Sequence, residues 1–167
     1  MISPLQLHHG PKRIVSTTDI CAASSGDFMK SHAISPDGSQ ILLSSESNYI
    51  SCWQLGETPG RTRYYGGNKE EPNGGERGDV AISSVFNMGE SIYDYAWHPY
   101  IDPTTELASY FVCSTKDHPV HMMDIETGSI RCSYLGYNHL DELDPAFSVA
   151  LNLDATKIYT GGNRVIR

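Results

Sequence analysis

The sequence predicts an all-β chain assembled from tandem antiparallel units, and three observations carry that expectation. Helical periodicity is hard to find anywhere along the 167 residues. Short runs rich in Ile, Val, Tyr and Ser recur instead, separated by Pro, Gly, Asn and Asp. One strand–turn–strand plan then returns along the chain with matching internal spacing.

The first copy opens with Ser31-His32-Ala33-Ile34, turns at Ser35-Pro36-Asp37-Gly38 and returns as Gln40-Ile41-Leu42-Leu43-Ser44. After a polar break at Glu46-Ser47-Asn48 it runs on as Tyr49-Ile50-Ser51-Cys52-Trp53. Strand, turn, strand, turn, strand is an antiparallel meander. The second copy starts at Asp94-Tyr95-Ala96-Trp97 and turns at His98-Pro99. Its next strands are Tyr110-Phe111-Val112-Cys113-Ser114 and Val120-His121-Met122-Met123, and Glu126-Thr127-Gly128 turns into a fourth, Ser129 to Tyr134. A third copy begins at Ser148-Val149-Ala150-Leu151, turns at Asn152-Leu153-Asp154-Ala155 and continues as Lys157-Ile158-Tyr159-Thr160. Gly161-Gly162-Asn163-Arg164 then leads into Val165-Ile166.

Spacing shows that these are repeats. Ile34 and Ile41 lie 7 residues apart, as do Leu151 and Ile158, and the following intervals to Ile50 and Ile166 are 9 and 8. Copies start 63 and 54 residues apart (Ile34, Trp97, Leu151), above the roughly 40–45 of a WD-type blade. The surplus sits in the Tyr100 to Ser109 connection and in the stretch 66–79, which holds no apolar residue and reads as a flexible inserted loop. Tandem four-stranded antiparallel units are the signature of a β-propeller. A β-sandwich is the alternative, and it needs no repeat spacing. The expected organisation is an N-terminal segment at 1–27 and a partial WD-repeat β-propeller of about two and a half repeats at 28–167. A closed propeller takes roughly four to eight blades, so the chain is expected to be a fragment, a truncated gene model or a short natural product. An open wedge presents apolar faces and an unpaired strand at Val165-Ile166, and is expected to be aggregation-prone until further blades follow.

Twelve Lys and Arg against twenty Asp and Glu give a formal charge of −8, and the cations never run longer than two. Sequence-independent binding to a polyanion is therefore disfavoured, while recognition of a few splayed bases stays open. Cys21, Cys52, Cys113 and Cys132 are 31, 61 and 19 residues apart, without the close pairs of a zinc site, so reduced, buried thiols are expected. No apolar run is long enough to cross a bilayer and no signal-like segment opens the chain, which reads as intracellular. His118 and His121 are expected on opposite faces at a turn into a strand, so no metal is expected there. Asp141, Glu142 and Asp144 lie in a Pro-bounded loop, solvated or engaged in binding, and no nucleophile or phosphate-loop motif accompanies them, so no enzyme is expected. Of the aromatics that could stack on bases, Tyr93, Tyr95, Trp97, Tyr100 and Tyr134 are mostly expected in the core, and Tyr137 in a loop.

The run Tyr137-Asn138-His139-Leu140-Asp141-Glu142-Leu143 stands with Ser91-Ile92-Tyr93-Asp94-Tyr95-Ala96-Trp97 and His118-Pro119-Val120-His121-Met122-Met123-Asp124. Phe28-Met29-Lys30 and Gly162-Asn163-Arg164-Val165-Ile166-Arg167 extend the pattern. From about Phe28 to Arg167 the chain resembles the telomerase Cajal body protein family of WD-repeat propellers. That resemblance implies a nuclear Cajal body protein without catalytic activity or cofactor, with neither a membrane nor a small molecule as partner. It implies an RNA-binding scaffold for small Cajal body (box H/ACA) RNA or telomerase RNA and their ribonucleoprotein proteins, acting in RNA localisation, folding and telomere maintenance. The alternative is a protein-binding WD-repeat module linked to pre-mRNA splicing, as in related fungal proteins. The usual Trp-Asp closing a third strand is here Met123-Asp124, and the His expected before the third copy is Phe147, which argues against an Asp–His network there. Propeller recognition resides in loops, so the candidate RNA-binding residues are Tyr137 for stacking, Asn138 for base edges, its neighbour His139, and Lys116 and Arg164 for phosphates.

Overall fold

The computed structural model describes residues 27–55, 63–65, 80–100, 109–138 and 140–167. Residues 1–26 and the expected loop at 66–79 lie outside them. Every regular element among the described residues is a strand. The first unit contains β1 (Met29–Ile34), β2 (Gln40–Ser45), β3 (Tyr49–Leu55), β4 (Arg63–Tyr65) and β5 (Val80–Asn87). The second contains β6 (Ile92–Trp97), β7 (Tyr110–Thr115), β8 (Val120–Asp124) and β9 (Ile130–Tyr134), and the third β10 (Ser148–Leu151) and β11 (Ile158–Gly161).

Each unit is its own sheet, ordered β1-β2-β3-β5-β4, β6-β7-β8-β9 and β10-β11. The spacing argument holds in the register. Ile34 pairs with Ile41 and Ile41 with Trp53, while Trp97 pairs with Phe111 and Phe111 with Met123, and Leu151 pairs with Ile158. β5, the fourth strand of the first unit, went unrecognised in the sequence, because the long insertion separates it from the meander it completes. β4 then adds to the outer edge of β5 in parallel, a pairing that no local turn signal announces.

The first strands of successive units lie side by side, β1 against β6 and β6 against β10, so the sheets radiate from a common axis. This is β-propeller architecture. It explains why all six residues of β7 are buried: its sheet is covered on both faces. Phe111 and Cys113 face the first unit, in a cluster with Leu42, Ile50, Phe86, Tyr95 and Trp97, whereas Val112 faces the third with Val120, Ala146 and Val149. Hydrogen bonds cross the same seams. Trp97 Nε1 donates to the Ala33 carbonyl (2.8 Å), Ser84 Oγ to the Ile125 carbonyl (3.0 Å) and the Val149 N–H to Asp94 Oδ2 (2.9 Å).

The first and third units share one turn. Asp37 Oδ1 accepts from Ser39 N–H (3.1 Å) and Asp154 Oδ1 from Thr156 N–H (3.2 Å), with Gly38 at φ 74° and Ala155 at φ 56°. Ala155 thus occupies the left-handed position that glycine fills in the first copy. Ala155→Gly is expected to stabilise the full chain by about 0.5–1 kcal/mol, the relief of Cβ crowding outweighing the added freedom of the unfolded chain. A lowered urea midpoint would contradict this.

Candidate functional site

In these antiparallel units, the turn after the second strand and the linker after the fourth emerge at the same end. Backbone contacts bear this out: Lys116 N–H donates to the Ser91 carbonyl (2.8 Å) and Met88 N–H to that of Asn48 (3.0 Å). Lys116, Tyr137, Asn138 and Arg164 therefore share one face of the propeller. His139 lies outside the described residues.

Tyr137 is 55% exposed and pairs its backbone with Leu143 at the base of the loop between β9 and β10. Inside that loop the Asn138 side-chain carbonyl accepts from the N–H groups of Leu140 (2.8 Å) and Glu142 (3.1 Å), and its amide donates to Glu142 Oε2 (3.2 Å). Asn138 thus clamps the loop through these bonds. A residue outside the candidate set braces the other side: Arg167 donates to the Tyr137 carbonyl (2.9 Å) and to Asp144 Oδ2 (2.7 Å). Asp144 and Arg167 are 23 residues apart, so only the fold reveals the pair. Together these bonds brace the loop backbone at Tyr137, whose side chain is exposed.

Lys116 and Arg164 are both exposed, and among the described residues neither is in an ion pair. Arg164 sits at φ 63°, a conformation Arg rarely adopts. Asp27, Glu90, Asp117, Asp141 and Glu142 on the same face are also outside any ion pair among the described residues, so the face carries an acidic surplus.

The expectation of opposite faces for His118 and His121 is corrected. His118 belongs to the turn before β8, and the two rings approach to 6.5 Å. Burial and the neighbouring His118 push the His121 pKa down. No group of three potential ligands joins them among the described residues. The expected burial of most aromatics also needs correction: Tyr95 and Trp97 are core, while Tyr93, Tyr100 and Tyr134 are exposed. For Tyr93 the reason is a β-bulge between Ile92 and Asp94 that breaks strand alternation. Between the second and third units a cavity of about 210 Å³ opens beside His118, Leu135, Leu143 and Arg167.

The Trp-Asp departure has a structural outcome. Asp124 accepts from Thr127 N–H (2.8 Å) and Glu126 N–H (2.9 Å) and from Arg131 Nε (2.8 Å), so it caps the turn before β9. Burial pushes its pKa up, but these donors outweigh burial and hold it below the usual carboxylate range.

The thiols of Cys52 and Cys113 are buried, and burial pushes them up to about 11 and about 12. Cys132 is half-buried. Native-state labelling with a maleimide is therefore expected to spare Cys52 and Cys113 until urea opens the chain. Labelling of either at the rate of a free thiol would refute the buried assignment.

No protein-family model matches the chain. Telomerase Cajal body protein 1 of Bos taurus is 34% identical over 144 residues, 84% of this chain and 24% of that protein. The Mus musculus protein of the same name is 32% identical over 160 residues, 94% of this chain and 28% of that protein. The chain is a homologue of the telomerase Cajal body proteins. It spans about a quarter of the length of these curated relatives. Among solved structures, the β-propeller domain of Myceliophthora thermophila Cps50 (Swd1) matches 81% of this chain and 35% of that chain, with a TM-score of 0.54 and 10% identity. That likeness establishes the WD-repeat propeller fold alone. On this fold Tyr137, Lys116 and Arg164 lie on one face of the propeller.

Proposed function

We propose that the chain is part of an RNA-binding scaffold of small Cajal body and telomerase ribonucleoproteins, acting in the nucleus without catalysis of its own. The observation that carries this reading is the exposed Tyr137 ring on a braced loop, on the same face as two cations without ion-pair partners among the described residues. A stacking ring on a loop braced before binding saves backbone ordering entropy, and cations on the same face meet the phosphates that flank a splayed base. Asn138 and Arg167 position the loop, and His139 follows in sequence within the same loop. The acidic surplus of this face supports a second reading, a protein-binding WD-repeat module, because a phosphate backbone meets more repulsion there than a basic protein does.

Affinity for a box H/ACA hairpin loop and for a scrambled loop, measured at several salt concentrations on the full chain, separates the two. Tyr137→Ala is expected to cost about 1–3 kcal/mol of RNA affinity. Lys116→Ala with Arg164→Ala is expected to reduce the salt slope by about 2. Equal, weak binding to both loops sinks the RNA reading.

A further inference from the structure

The first strands of the three units present one equivalent position to the face described above, and two of its three occupants are aromatic. With Ile34, Trp97 and Leu151 in register, the position four residues earlier is Lys30, Tyr93 and Phe147. Lys30 and Tyr93 are the extra residues of matching β-bulges, between Met29 and Ser31 and between Ile92 and Asp94. A bulge re-aims the side chain it inserts. Tyr93 is consequently 39% exposed although Tyr95, two residues on, is buried. Phe147 is 47% exposed, and its ring meets Tyr93 edge-to-face at 5.2 Å. Because β6 and β10 are the strands nearest the axis, this pair stands at the mouth of the propeller's centre.

We infer that the Tyr93–Phe147 pair is a seat for an arginine side chain of a basic protein segment. Ring faces attract cations, and a planar, weakly hydrated guanidinium stacks on them where an ammonium does not. The surrounding charge fits the same partner. Glu90, exposed three residues ahead of Tyr93, lies on the acidic face, and the one cation at an equivalent position, Lys30, has its Nζ 2.9 Å from Glu46 Oε2. A phosphate would find no uncommitted cation at that equivalent position, whereas a guanidinium finds two exposed aromatic rings. This seat is separate from the RNA contact proposed at Tyr137, and neither depends on the other.

The test is calorimetric titration of the full chain with acetyl-Gly-Arg-Gly-Gly-Arg-Gly-amide and with the same peptide carrying citrulline for arginine. The arginine peptide is expected to bind about tenfold more tightly than the citrulline peptide. Tyr93→Leu with Phe147→Leu keeps apolar bulk and removes the rings, and is expected to weaken the arginine peptide about tenfold with an unchanged melting profile. Tyr93→Phe should stay within about twofold of the wild type, since the ring remains. Lys116→Ala with Arg164→Ala should leave peptide binding intact, which separates failure of the RNA reading from failure of this one. Equal binding of both peptides, or an unchanged affinity in the double Leu variant, overturns the inference. A double Leu variant that loses affinity for a single-stranded RNA oligonucleotide while keeping the peptide overturns it as well, in favour of a nucleobase.

Discussion

Phe111→Ala is expected to destabilise the full chain by about 3–5 kcal/mol, enough to populate unfolded protein under mild conditions. Phe111 is fully buried in β7, at the centre of the seam between the first two units. Its ring packs edge-to-face with Phe86 at 5.2 Å and with Trp97 at 6.5 Å, so one side chain joins residues from both sheets. Truncation removes the apolar area and both aromatic contacts and leaves a cavity that two rigid sheets cannot collapse to fill. Phe111→Leu retains most of the volume and is expected to cost less than about 2 kcal/mol. Urea unfolding checks both variants, through a lowered midpoint at unchanged slope. A loss below about 1 kcal/mol for the Ala variant would show that the seam does not depend on this ring.

The repeat was legible because propeller blades reuse the same register. Ile34 and Leu151 align by spacing and Trp97 by the repeated strand order, and their pairing with Ile41, Ile158 and Phe111 follows one rule in space. What stayed hidden was set by geometry that no local pattern encodes. β4 joins β5 in parallel from the long connection between β3 and β5, and Arg167 reaches across 23 residues to Asp144. The bulge that exposes Tyr93 cannot be read from alternation, because Tyr93 and Tyr95 share parity and only the extra residue separates their fates. For the candidate site, loop placement was readable for Lys116, Tyr137, Asn138 and Arg164, since turns connect predictable strands. The use of Asn138 was not, because an Asn in a loop serves its own backbone as readily as a ligand.

Asp94→Asn is expected to cost about 1.5–3 kcal/mol, the range of hydrogen bonds to a charged group, despite a change of one heavy atom. The Asp94 carboxylate accepts at both oxygens, from its neighbour Tyr95 N–H (2.9 Å) and from Val149 N–H (2.9 Å) across 55 residues. The second bond fastens the first strand of one unit to the first strand of the next, close to the axis. An amide offers one acceptor and one donor. Whichever way it is flipped, one of the two backbone N–H groups faces an NH₂ and loses its partner in a partly buried site. Asp94→Ala removes both acceptors and should cost at least as much. Hydrogen exchange localises the effect: the Val149 amide should exchange faster in the Asn variant, while amides in β2 and β3, on the far side of the Phe111 seam, change little. If Val149 keeps its protection, Asp94 does not carry the junction between the second and third units.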